Sequence, residues 1–323
     1  MVLAYSDTDT GALVFSQADA PPSSAQKDRI DGIRVFIGIA TSGRPTILPS
    51  TIAHLRRQTR KAQRIVICAT KAADVEGLDE ADDLKIMYAP PGLPIQRNAL
   101  LDEAGDDDFI FFFDDDFLTD PHYIERTLAI FSAQPDVAIT TGRVLADGAR
   151  GPGLSIDEGE AILDGAIVSG ANGDPSIEPT WNGYGCNMAF RLAPIRDHAL
   201  RFDERLPLYA WYEDVDFSRR VAPYGRVVKI NAATGVHLGT KKGRTSGKRL
   251  GYSQVVNPVY FARKGTFAWR KSLLSILRNM GMNVARSVRP EAYIDRRGRL
   301  LGNLLGIVDV IRGRAKPERI LDL

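Results

Sequence analysis

The sequence is poor in cysteine. Only Cys68 and Cys186 occur in 323 residues, which excludes a disulfide framework and a cysteine-rich zinc site and points to a reducing compartment or to indifference to redox state. No stretch approaches the roughly 18–20 uncharged apolar residues that a spanning helix needs. The N-terminus lacks a basic region followed by an apolar run, so no secretory signal is expected. Thr41-Ser42-Gly43-Arg44-Pro45, after the first predicted strand, has one glycine where a dinucleotide fingerprint has three. The P-loop pattern, G-x-S-x-G and H-E-x-x-H are missing as well. No zinc-finger spacing and no aromatic-rich basic sheet occurs, so nucleic acid is not expected as a partner.

What is present is the composition of a globular chain, 44% hydrophobic and 25% charged, long enough to bury a sizeable core. The net charge of +2 hides an asymmetry: from Leu238 onward there are 19 Lys or Arg against 5 Asp or Glu. Such a basic end points to anionic lipid or a phosphorylated substrate. In WRKSLLSILRNM and RRGRLLGNLLGIVDVIRGR, arginines alternate with Leu and Ile at helical spacing, over roughly 255–287 and 299–313. Such helices either lie on an anionic membrane surface or pack on the domain with Arg outward.

Residues 1–31 read as an N-terminal segment and linker, with a small hairpin over Val2–Tyr5 and Ala12–Phe15. From Arg34 strands and helices alternate. Strands are expected over Arg34–Ala40, Arg64–Ala69, Lys85–Ala89, Phe109–Phe113, Val137–Leu145 and Arg226–Ile230, and helices over Thr46–Gln58, Pro94–Ala104 and Pro121–Ala133. Alternation argues for an α/β fold with a Rossmann-like, mainly parallel sheet flanked by helices. The loops 41–45, 70–77 and 114–120 should then meet at one sheet edge. Residues 146–180, rich in Gly, Asp and Pro, read as a long variable region.

FIFFFDDD, residues 109–116, is the most informative stretch. Its apolar run suits a strand buried on both faces. The triplet Asp114, Asp115, Asp116 then falls at the strand's carboxyl end, where open α/β sheets bind ligands. Carboxylates that close repel, and a divalent cation with a preference for hard oxygen ligands, Mg²⁺ or Mn²⁺, relieves the conflict. Asp116 is expected on the metal and Asp114 on a ribose, the outer carboxylates of a D-x-D arrangement facing one way. Asp106 to Asp108, just upstream, read as a solvated acidic loop. His237 stands beyond a strand in a chain with four His and is a candidate ligand. Glu213 and Asp214 sit at a helix start, where they compensate the dipole or act as general base and hydrogen-bonding partner. Asp216 and Arg219 could pair at helical spacing. Arg97, in the first turn of a helix, is poorly placed for the dipole unless it faces a phosphate or ribose. The run Lys241, Lys242, Arg244, Lys248, Arg249 is either a solvated loop or a lid on a nucleotide diphosphate.

The ordered set of a T-x-x-R-like first loop, Arg97-Asn98, FFFDDD, NGYGCNMAFR, WYEDVDFSRR and GVHLGT resembles the inverting family-2-type glycosyltransferases of the GT-A fold, which build bacterial polysaccharides. The resemblance covers roughly residues 33–240. It implies a catalytic domain over 32–240, its nucleotide-binding half about 32–120 and its acceptor-binding half about 121–240, followed by a basic loop and C-terminal helices over 241–323. It places Thr41, Arg44, Arg97, Asp114 and Asp115 against the donor nucleotide. Lys241, Arg244 and Lys248 belong to the same donor side. Asp116 and His237 fall on the metal, and Asp214 becomes the catalytic base with Glu213 beside it. Trp181, Asn182, Tyr184, Trp211 and Tyr212 are acceptor-side groups, because aromatic faces stack on sugar rings. Family members often carry an acid after the second strand to read the base; here ICATKAAD has Thr70 and Lys71, with Asp74 later, and a UDP-sugar is favoured without being fixed. The expected activity is metal-dependent inverting transfer of a sugar, with Mn²⁺ or Mg²⁺, to a hydroxyl of a glycan or lipid-linked oligosaccharide. The expected place is the cytoplasm, peripheral on the inner face of the cell membrane. A non-catalytic sugar-nucleotide or glycan-binding module and a sugar-nucleotide nucleotidyltransferase are the alternatives; release of nucleoside diphosphate, or of pyrophosphate, or neither, separates them.

Overall fold

The computed structural model describes residues 32–241 and 246–323. The segment expected over 1–31, and Lys242 and Arg244 of the basic run, lie outside the described residues. The chain runs through β1 (Val35–Ala40), α1 (Leu48–Arg56), β2 (Arg64–Ala69), β3 (Leu84–Tyr88), α2 (Leu93–Ala104), β4 (Phe109–Asp114), β5 (Phe117–Thr119), α3 (Tyr123–Ala133) and β6 (Val137–Asp147). It continues through α4 (Ile156–Val168), β7 (Ile177–Pro179), β8 (Asn187–Arg191), α5 (Leu192–Asp197), α6 (Glu213–Val221) and β9 (Arg226–His237), then α7 (Gly247–Lys264), α8 (Trp269–Arg286) and α9 (Arg296–Ile311).

The strands form one mixed sheet in the order β3-β2-β1-β4-β8-β6-β9-β5, with β7 also on β9. β3, β2, β1 and β4 are mutually parallel, β6 and β9 are parallel to each other, and β8 joins the two groups antiparallel to both β4 and β6. Period-two alternation explains the aromatic strand: Phe109, Phe111 and Phe113 enter one apolar cluster with Ile37 and Ile39, whereas Ile110 and Phe112 enter the other with Phe36 and Val66. Each fully buried Phe contributes roughly 1.5–3 kcal/mol, so β4 is pinned from both sides and its carboxyl end has a fixed address.

Several expectations need correction. The region 146–180 is not merely a variable loop. It holds α4, opened by a capping box in which Ser155 and Glu158 satisfy each other's backbone N–H, and β7. Gly159 and Gly165 weaken the helical signal there, yet a Cβ at Gly159 would lie 2.6 Å from Leu238. β9 does not stop at Ile230; it continues to His237. α3 starts at Tyr123 rather than Pro121, and Asp120 is buried, accepting the His122 N–H at 2.8 Å and Asn172 Nδ2 at 2.6 Å. Asp107 is buried on Arg64 and Asp108 accepts the Arg34 N–H, so the upstream acidic loop is not simply solvated. The pattern over 255–287 breaks at Gly265, which takes a left-handed φ of 86° that suits glycine and separates α7 from α8. Asp216 pairs with Lys264 at 2.7 Å instead of Arg219. Among the described residues no helix is long and apolar enough to cross a membrane.

Candidate active site

Sheet register assembles the site. Asp114 closes β4 beside Ala40 of β1. Asp115 and Asp116 make the turn into β5, and β5 pairs antiparallel with β9 so that Phe117 faces His237. β6 runs parallel to β9 and ends with Asp147 opposite the same histidine. Three strand ends thus deliver Asp114, Asp116, Asp147 and His237 to one point.

Ligand atoms of Asp114, Asp116 and His237 lie within 4.8 Å of one another. His237 Nε2 is 3.3 Å from Asp116 Oδ1 and 3.8 Å from Asp114 Oδ2. Its other nitrogen, Nδ1, is 2.9 Å from Asp147 Oδ1, and the Tyr184 hydroxyl donates to Asp147 Oδ2 at 3.0 Å. Asp147 thereby fixes the ring and leaves Nε2 facing the carboxylates. Burial opposes charge on the imidazole, but Asp116, Asp147 and Asp114 outweigh it and raise its pKa to about 10. Burial likewise pushes Asp116 up, yet His237, Arg44 and the Thr240 N–H hold its carboxyl well below the usual range. Asp147, opposed by burial, is held down at about 2 by His237 and Tyr184.

Asp115 has a different task. Its oxygens accept Thr41 Oγ1 at 2.7 Å and Arg44 Nη1 at 2.7 Å, and Thr51 Oγ1 donates to its carbonyl. Arg44 also reaches Asp116 at 3.4 Å. Burial raises Asp115 to about 6 against the pull of Arg44, with Asp116 adding to the rise. Thr41, Arg44 and Asp115 therefore lock the first loop onto the acidic turn, which corrects the expectation that Asp115 faces the donor. The loops after β1 and β2 also join: Asp74 is buried and accepts the N–H groups of Gly43, Thr70 and Lys71. That carboxylate is thus committed to backbone rather than open to a base.

A second acidic group stands across Arg97. The guanidinium is buried between the rings of Phe112 and Phe202, pairs with Glu213, reaches Asp114 at 3.4 Å and donates to the Gly185 carbonyl at 2.7 Å. It is neither a surface arginine nor exposed to the cleft. Three carboxylates, Asp114, Glu213 and Asp214, share this one cation. Burial drives Glu213 up to about 8 despite Arg97, with Asp214 and Asp114 adding to the rise. Asp214 is only partly buried. It accepts the Gly185 N–H at 3.0 Å and the Val215 N–H at 2.8 Å, and burial still raises its pKa above the ordinary value. The approach to α6 is strained: Leu208, Ala210 and Tyr212 all have φ between 50° and 70°, a conformation costing about 1–3 kcal/mol for a non-glycine residue.

The expected acceptor groups divide. The Tyr184 hydroxyl is engaged by Asp147 while its ring is half-buried, and Tyr212 is buried with its hydroxyl 2.9 Å from Ser275 Oγ, so Tyr212 presents no free ring to a sugar. Trp181 carries Arg219 at 3.9 Å and Lys271 at 3.4 Å over its ring. Asn182 turns back on the Gly183 carbonyl. Trp211 packs against Tyr212 and lies beside Tyr209, which is 54% exposed and escaped the sequence reading. Lys241 donates to the carbonyls of Gly148 and Ala149, and Lys248 lies in the first turn of α7.

Do the residues fit a metal? Asp116 Oδ1 is buried without a well-formed hydrogen bond, directly opposite His237 Nε2. Two carboxylates and an imidazole backed by a further carboxylate are the donor set that Mg²⁺ or Mn²⁺ accepts. The set fits, and Asp114, expected on the ribose, belongs to the same cluster.

Residues 36–164 match the family model for glycosyl transferase family 2. Among solved structures the chain is similar to S. aureus TarS 1-349, with 13% identity and a TM-score of 0.54 over 88% of this chain and 82% of that one. It is likewise similar to that fragment in complex with UDP-GlcNAc, with 15% identity and a TM-score of 0.52 over 89% and 83%. A search of curated protein sequences gives no match. At such identities the structural likeness speaks for the fold. Fold and family match together define a glycosyltransferase of the GT-A type. The family match is confined to residues 36–164, and with the shared fold it supports a glycosyltransferase that uses a nucleotide sugar.

Proposed function

We propose that the protein transfers a sugar from a UDP-sugar to a hydroxyl of a glycan acceptor with inversion at the anomeric carbon, as a step of polysaccharide biosynthesis. The observation that carries this is the pairing of two acidic centres through Arg97: the Asp114–Asp116–His237 set on one side and the partly open Asp214 on the other. A single displacement needs these two groups apart, one at the leaving diphosphate and one at the incoming hydroxyl.

Asp214 takes the acceptor proton as the hydroxyl oxygen bonds to the anomeric carbon and the bond to the diphosphate breaks. Burial raises its pKa above the ordinary aspartate value, which makes it a stronger base than an exposed aspartate. Glu213 and Arg97 set its position and field. Asp114, Asp116 and His237 would hold Mn²⁺ or Mg²⁺, which when bound supplies Lewis-acid stabilisation of the leaving diphosphate. Lys241 and Lys248 add positive charge on the donor side, and Trp211 with Tyr209 offers aromatic surface to the acceptor. We assign donor binding to residues 32–120, acceptor binding to 121–240 and the basic loop and helices to 241–323. UDP is favoured because the TarS fragment of the same fold has been crystallised with UDP-GlcNAc. A lipid-linked acceptor suits the basic C-terminal helices. The test is a panel of nucleotide sugars with acceptor and Mn²⁺, read as nucleoside diphosphate release and as product anomeric configuration by NMR. Release that needs acceptor and metal, with an inverted product, supports the proposal; retention, or pyrophosphate as product, overturns it.

A further inference from the structure

Helices α8 and α9 are packed inside out. α8 buries Ser272, Ser275 and Asn283, and α9 buries Gly302, Asn303, Gly306 and Asp309. Their partners are polar: Asn283 donates to Gln254 of α7 at 3.1 Å and to Asn303 at 2.8 Å, and the Tyr252 hydroxyl donates to Asp309 at 2.9 Å. Glycines let the backbones touch, since a Cβ at Gly302 would fall 2.0 Å from the Lys248 carbonyl oxygen. Leu305 packs on the buried Tyr252 and Val256, but a row of large apolar side chains on each helix is exposed. Leu273, Leu277 and Val284 on α8, and Leu301, Leu304 and Val308 on α9, recur at helical spacing, each 39–58% exposed, with Trp269 at the head of the α8 row. A helix of a water-soluble domain normally turns such a stripe to the core, and contiguous exposed stripes mark an interaction face.

The charge around the stripes says what they meet. Arg270, Arg278, Arg289, Arg312 and Arg314 are exposed, and among the described residues none has a carboxylate partner. Nearby acids are already engaged: Glu291 clamps Arg296, Asp309 holds Arg319 and Glu318 holds Arg205. A second copy seated on this face would set arginines against arginines. A bilayer with anionic headgroups satisfies both features, taking the leucines at the acyl boundary and the guanidinium groups at the phosphates. We propose that the outer face of α8 and α9 docks the enzyme on an anionic membrane surface. Its purpose rests on the lipid-linked acceptor proposed above; the docking itself is measured apart from turnover.

The experiment sediments the full chain with phosphatidylcholine vesicles made with and without phosphatidylglycerol. Binding is expected only to the anionic vesicles and should weaken with salt. Arg270→Gln with Arg312→Gln should lower it about 25-fold, fivefold for each basic residue near the surface. Leu273→Gln with Leu277→Gln should lower it about tenfold. Both variants should keep the parent's circular dichroism, melting temperature and rate of nucleotide-sugar hydrolysis. Equal binding to both vesicle types, no binding to either, or a dimer in ultracentrifugation that the leucine variant splits would each overturn the proposal. Anionic binding by a protein that fails to transfer sugar would leave the docking face standing and remove the transfer chemistry instead.

Discussion

Asp214→Asn keeps the shape of the proposed base and removes its ability to take a proton. The structural cost can be bounded. Asp214 accepts two backbone N–H groups, from Gly185 on Oδ2 and from Val215 on Oδ1. Asparagine offers one oxygen, so one donor loses its acceptor, a penalty of about 1–3 kcal/mol when buried. Removing a charge that burial disfavours offsets part of it. The melting temperature should therefore fall by only a few degrees, at about 2–4 °C per kcal/mol for a chain of this order. Turnover should fall far more, by about 10²–10⁴-fold, the usual contribution of a positioned general base. Donor affinity, measured by calorimetry in the presence of Mn²⁺, should stay within about twofold, because the donor is expected beyond Arg97 from this carboxylate. The rate is read as diphosphate release with acceptor at saturation. Turnover within about tenfold of the parent would refute the assignment of the base, and a parallel collapse of donor affinity would reduce Asp214 to a structural residue.

Arg97→Met strands Glu213 and Asp114 without their cation. Breaking a buried pair this way should destabilise the fold by about 3–5 kcal/mol in urea titration, and a loss under about 1 kcal/mol would show the pair to be solvated. Gly239 has φ of 65°, and a Cβ there would fall 2.0 Å from the Ala149 nitrogen. Gly239→Ala should displace the neighbouring Thr240 N–H from Asp116 and weaken Mn²⁺ binding in calorimetry, whereas unchanged affinity would uncouple that strand end from the site. The pH dependence follows from His237, whose folded pKa is raised to about 10. A raised histidine stabilises fully below its unfolded pKa and loses that contribution as pH rises through the folded one. In EDTA the melting temperature should thus decline between about pH 6.5 and 10 more steeply than in His237→Gln. Excess Mn²⁺ should displace the proton and flatten the decline, and parallel curves for the two proteins would contradict the ring's placement among the carboxylates.

The parts of this molecule that could be read from the chain are those written in local pattern. FIFFF splits its side chains between two faces of a buried strand, and the strand's position fixes where Asp114 to Asp116 emerge. The loop after β1 meets the triplet through Thr41 on Asp115 and joins the loop after β2 through Gly43 on Asp74, at the one sheet edge that parallel topology requires. What stayed hidden was set by register and by hydrogen-bond destinations. Asp147 becomes the partner of His237 only because β6 and β9 run parallel with shifts in register along the way, and β5 is three residues long. Its one local sign was an acid before a glycine, two residues beyond the end of the predicted strand. Arg97 was conspicuous as a cation in a first helical turn, but nothing local said that its partners lie on α6. Tyr212 looked like an exposed sugar platform because a sequence does not say that its ring is buried and its hydroxyl reaches Ser275. α8 and α9 had the periodicity of amphipathic helices; that their polar side faces inward depends on the side chains of α7.

The most direct test is a crystal of the protein grown with Mn²⁺ and UDP, with the ion located by its anomalous signal. The account predicts one peak ligated by Asp114, Asp116 and His237, with the diphosphate on its open side and Asp214 facing the space beyond. A peak on Glu213 and Asp214, or UDP bound with no ion at the Asp–Asp–His set, would contradict it.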